Sequence, residues 1–132
     1  ESSFPMDTRA DLCVMLHANE ETLKGWYGQP FSVLEGKENT KQLSFKDDAG
    51  NHVRAILEDR YGSMLAFELI FCPKTDVDRL LMKFHEDDFW LQYERSDGNT
   101  GYYFSGNRSQ VAYIQEGCLR IKAVKPEPGG TD

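Results

Sequence analysis

The sequence predicts a mainly β protein: an antiparallel β-meander closed as a sandwich or barrel, with one or two short helices. Three observations predict it. Short segments of alternating apolar residues recur between Leu43 and Val124, and a period of two is that of a strand with one covered face. Compact turns separate several of them, at Asp48-Ala49-Gly50-Asn51, Tyr61-Gly62, Asp97-Gly98-Asn99, Gly106-Asn107 and Glu116-Gly117. Gly, Asn and Asp tolerate the positive φ that tight hairpins need. Helical spacing is confined to two short stretches.

The first helix is predicted over residues 20–27. Asn19 stands where an N-cap should, Glu20 and Glu21 favour the positive end of the helix dipole, and Leu23, Trp26 and Tyr27 share one face. Gly28 followed by Pro30 supplies the stop. Residues 12–16 read as a buried strand, 31–34 as another, and 35–41 as a polar connector ahead of the meander. In residues 64–72, Leu65, Phe67, Leu69 and Phe71 form one predicted face, with Met64, Ala66, Ile70 and Cys72 on the other. A strand apolar on both faces is central. Glu68 interrupts it and is expected at a rim, since under cover its carboxylate needs a partner.

Residues 75–84 fit both periods. The helix is favoured, with Val77, Leu80, Leu81 and Phe84 on one face and Thr75 with Asp78 resembling a capping box. From Phe89 the strand pattern resumes through 89–94, 102–104, 111–115 and 118–124. Residues 1–10 and 125–132 read as a flexible lead and tail of one domain spanning 1–132, without an internal repeat beyond the hairpins.

Charge narrows the function classes. Residues 1–88 hold 17 acids and 10 bases, and residues 89–132 hold 5 of each, so the net charge of −7 arises before Phe89. Nucleic-acid binding runs on phosphate neutralisation, so no nucleic-acid partner is expected. No apolar run approaches the ~20 residues of a membrane helix, so no membrane insertion is expected. Cys13, Cys72 and Cys118 lack CxxC spacing; with Glu1 in place of Met, they give the expectation of a secreted or periplasmic chain. One disulfide that includes Cys72 is expected on that basis. The Asn107-Arg108-Ser109 sequon falls in a predicted turn.

His17, His52 and His85 are isolated from one another, and no HExxH, GxSxG or Walker-type pattern occurs. The run His85-Glu86-Asp87-Asp88 is read as a solvated turn, because consecutive side chains diverge in extended backbone. No metal, cofactor or catalytic residue is expected. The aromatic cluster is the best binding signal: eight of the sixteen aromatics lie between Phe84 and Tyr113.

These features favour a non-enzymatic binding protein that blocks a protein partner, in the manner of an inhibitor or toxin-immunity protein. Its partner would carry a basic or cleft-bearing surface. The expected contacts are Asp47, Asp48, Glu86, Asp87, Asp88, Asp97, Asn99 and Arg108 at turns, with Trp90 and Tyr103 as aromatic anchors. The alternatives are a β-barrel that binds a small molecule and a small enzyme with carboxylate or cysteine chemistry.

Overall fold

A computed structural model describes residues 18–60, 62–74, 77–104 and 110–123. Helix α1 (Glu20–Tyr27) is followed by strands β1 (Ser32–Glu35), β2 (Thr40–Lys46), β3 (His52–Arg60) and β4 (Ser63–Cys72). Helix α2 (Asp78–His85) then leads into β5 (Trp90–Glu94), β6 (Thr100–Phe104), β7 (Gln110–Gln115) and β8 (Cys118–Ala123). All eight strands form one antiparallel sheet in the order β1-β2-β3-β4-β8-β7-β6-β5. The predicted class holds: mainly antiparallel β with two short helices. Its second layer is the helix pair, and β1 and β5 are the two edges of the sheet.

The topology contains a repeat that the sequence does not show. Each half is one helix followed by a four-stranded meander, and the last strands of the halves, β4 and β8, pair at the centre. That seam runs through Glu68↔Lys122, Leu69↔Ile121, Ile70↔Arg120 and Phe71↔Leu119. One step beyond, Cys72 and Cys118 form a disulfide across a Cα separation of 4.4 Å, near the spacing of a non-hydrogen-bonded antiparallel pair. The expected bridge through Cys72 therefore clips the two halves together.

Both helices cover the same face. Leu43, Phe45, Val53, Ala55, Leu57, Leu69, Phe71, Leu119, Ile121 and Ala112 alternate onto it by register and are fully buried. Leu23 and Tyr27 of α1 pack there, with the Tyr27 ring 5.4 Å from that of Phe45. Phe84 of α2 meets Trp90 edge-on at 4.9 Å and stacks over Tyr102 at 6.4 Å. The α1 signals act as predicted: Asn19 Oδ1 accepts the Thr22 amide, and Gly28 ends the helix at φ 87°. For α2 the N-cap is Val77, which has no side-chain acceptor; Thr75 lies outside the described residues, as do residues 1–17 with the predicted strand at 12–16.

Two expectations change. The meander begins at Ser32, because residues 36–39 form a tight turn returning β1 onto β2. In the β3–β4 pairing the register shifts between Ile56 and Leu57 of β3, leaving Phe67 of β4 as an extra residue. A bulge inverts the alternation on one side of it. Met64 and Ala66 consequently share the helix-covered face with Leu69 and Phe71, while Leu65 joins Glu68 and Ile70. The apparent two-sided apolar strand is partly this change of phase.

Candidate functional site

The register determines which turns lie together. The turn at 47–51 follows β2, the turn at 116–117 follows β7, and the turn at 95–99 follows β5. The antiparallel pairing brings all three to one end of the sheet. The strand order separates the first and last by five strand spacings, about 24 Å. Asp47, Asp48, Asp97 and Asn99 therefore share an end, and Glu116 joins them. Glu86, Asp87 and Asp88 sit at the opposite end, because α2 crosses the sheet before β5 begins.

Each tip is held by its own residues. Asp47 Oδ1 accepts the amides of Ala49 (3.0 Å) and Asn51 (2.9 Å), and its Oδ2 accepts Asn51 Nδ2 at 2.9 Å. Asn51 Oδ1 in turn accepts the Lys74 amide at 2.9 Å, tying the tip to the segment after β4. Desolvation raises the Asp47 carboxyl; the hydrogen bonds from Asn51, Ala49 and Gly50 outweigh it and hold the group below the usual carboxylate range. Asp97 repeats the device: its Oδ1 accepts the Asn99 amide at 3.0 Å, and that bond, aided by Arg95, lowers its pKa. Glu116 and Gly117 both have positive φ, 57° and 77°, as a two-residue type I′ turn requires. Asp87 likewise accepts the Phe89 amide at 2.9 Å.

Three of the acids singled out from sequence thus build the turns they occupy. Asp48, Glu86 and Asp88 stand exposed. Trp90 is 5% exposed in the helix-covered core, so it joins β5 to α2 and is not a surface anchor. The exposed rings and chains at that end are instead Phe89 (65%) and Leu91 (44%). Tyr103 lies on the helix-free face, half-buried beside Tyr93 at 5.8 Å. Arg108 and the sequon lie outside the described residues.

The helix-free face has its own organisation. Glu68, expected at a rim, is 6% exposed there and accepts Arg120 Nη1 at 2.7 Å. The ion pair therefore crosses the same seam as the disulfide. Arg95 lies 3.6 Å over the Tyr113 ring, and Tyr93 folds over Gly101, where an added Cβ would meet its ring at 2.8 Å. Sequence reasoning missed Arg120 because only the β4–β8 pairing places it against Glu68.

His85 Nδ1 lies 3.1 Å from the Tyr102 hydroxyl, whose pKa burial raises. Among the described residues no group of three or more His, Cys, Asp or Glu is gathered as for a metal ion. No described helix is long and apolar enough to cross a membrane. A depression of about 390 Å³ between the β1–β2 and β3–β4 turns is lined mainly by polar groups, among them Glu35, Asn39, Lys41 and Asp59.

The fold defines an open antiparallel sheet, covered on one face by helices and built from two helix-plus-meander halves. No family model and no curated protein sequence matches the chain. Among solved structures it is similar to a cysteine-rich secretory protein from Staphylococcus aureus subsp. aureus Mu50, at 9% identity and a TM-score of 0.51. That match covers 89% of this chain and 46% of the other. A match to an extracellular protein containing an SCP domain from Bacillus anthracis str. Ames has 10% identity, a TM-score of 0.46, and coverage of 93% and 49%. The chain spans about half the length of each.

Proposed function

We propose that the chain is a non-enzymatic, secreted or periplasmic binding protein that blocks a protein partner, and that it meets the partner with the three-tip end of its sheet. The observation that carries this is the common end of the turns at 47–51, 95–99 and 116–117, each held by its own backbone or side-chain geometry. Pre-organised tips lose little entropy on docking, and loops on a rigid sheet suit insertion into a cleft. Asp48, Asp97 and Glu116 carry exposed negative charge there, suited to a basic or cleft-bearing face. The Cys72–Cys118 bridge supports an oxidising compartment.

The test is capture from a secreted or periplasmic extract at low and high salt, followed by association kinetics on the captured protein. Reversal of Asp48, Asp97 and Glu116 to Lys should slow association at least tenfold and flatten its salt dependence. Reversal of Glu86 and Asp88, at the other end, should leave it within twofold. The opposite pattern refutes the tip-end reading.

A further inference from the structure

Although the chain carries a net charge of −7, its helix-free face is basic. The register places Lys46, Arg54, Arg60, Arg120 and Lys122 on that face against only two strand carboxylates, Glu58 and Glu68. Both carboxylates are occupied: Glu58 holds Arg60 at 2.8 Å and Glu68 holds Arg120 at 2.7 Å. Lys46, Arg54 and Lys122 have no ion pair among the described residues. Lys46 rests 4.9 Å over the exposed Phe31 ring, and Arg54 is exposed.

These three cations form a diagonal. Lys46 is opposite His52, Arg54 is two residues further along β3, and Lys122, two strands over, is opposite Glu68. Sheet spacings of ~4.8 Å between strands and ~3.4 Å per residue give steps of roughly 8 and 12 Å, about 20 Å in all. The buried Ile70 and the Glu68–Arg120 pair lie between, closing the centre of the face.

We propose that this diagonal, on the helix-free face, binds an acidic polypeptide segment of a partner protein in extended conformation. A 20 Å track corresponds to about six extended residues, whose alternate side chains reach the same side every ~6.8 Å. Carboxylates at that repeat can meet cations at the diagonal steps, while the exposed Phe31 and half-buried Ile56 offer apolar surface beside them. The arrangement disfavours a single-stranded nucleic acid, which needs rings interleaved with cations. The half-buried rings Tyr103 and Tyr93 lie two and three strands beyond Lys122 instead.

The probe is fluorescein-labelled decaglutamate, with binding to the full chain followed by anisotropy at low and high salt. Wild type should bind it, more weakly as salt rises. Arg54→Glu with Lys122→Glu should weaken binding at least tenfold. The milder Arg54→Gln with Lys122→Gln, which tests the idea if the reversal does not fold, should fall between. Lys37→Glu, in the β1–β2 turn, should remain within twofold. Absence of wild-type binding, an equal loss in Lys37→Glu, or tighter binding of a labelled single-stranded DNA decamer would each overturn the proposal.

Discussion

Removing the disulfide by Cys72→Ala with Cys118→Ala tests how far the two halves depend on their seam. The bridge joins neighbouring strands at the end of the β4–β8 pairing and closes a loop across 46 positions of sequence. In the chain-entropy model a loop of that size stabilises the folded state by about 4 kcal/mol, through restriction of the unfolded chain. At about 2.1 cal/mol/K per residue, unfolding 132 residues carries an entropy near 0.28 kcal/mol/K, so the melting temperature should fall by roughly 14 °C. The Glu68–Arg120 pair and the four seam register pairs remain in the variant, so it should still fold. Urea and thermal unfolding of the variant and the parent measure the difference directly. Intact mass after alkylation, with and without reductant, should show two additional reactive thiols on reduction. A loss below about 1 kcal/mol, with the bridge confirmed in the parent, would refute the view that the bridge constrains an otherwise open loop.

Three further outcomes follow from the geometry. Glu68→Ala leaves Arg120 half-buried without its carboxylate; discounted for that exposure, the loss should be about 2 kcal/mol, and Glu68→Leu with Arg120→Met should recover most of it in denaturant unfolding. Asp47→Asn should destabilise the protein at neutral pH and match the parent in acid. The Asp47 pKa is lowered by folding, so its contribution is present above the unfolded value and disappears as pH falls through the folded one; the stability difference measured from pH 7 down to pH 2 checks this. Gly101→Ala drives a methyl group into the Tyr93 ring and should cost about 1–2 kcal/mol, relieved in the Tyr93→Ala background.

What the sequence disclosed was local. Asn19, Gly28 and the Leu23/Tyr27 spacing are contained within ten residues, and they specify α1 without reference to anything distant. The hairpin turns are similarly self-contained, as the Glu116-Gly117 turn shows through its own backbone angles. The strand order was not legible. Whether β5 pairs beside β4 or crosses to the far edge depends on α2 packing through Phe84 onto Trp90 and Tyr102, a contact between segments that each read equally well elsewhere. The bulge at Phe67 escaped for a related reason. A run that is apolar on both sides of Glu68 offers no mark of where its phase changes, and only the partner strand defines the extra residue.

The acids show the same division more sharply. An Asp at a turn reads from sequence as charge offered to solvent, yet Asp47, Asp87 and Asp97 each accept a backbone amide of their own turn. Short carboxylates are favoured there because they mimic a backbone acceptor, whatever charge they also carry. Composition therefore counts such residues as surface field when part of their role is structural. The cations escaped through the converse effect. Lys46, Arg54 and Lys122 come from three strands, and along the chain each is diluted among acids that alternation or turns send elsewhere. Their summed field exists only once β4 and β8 pair. A seam that fixes that pairing with a disulfide and the Glu68–Arg120 ion pair thus also fixes the helix-free surface where Lys46, Arg54 and Lys122 gather, and loosening the seam should disturb binding at that face before it disturbs the tips.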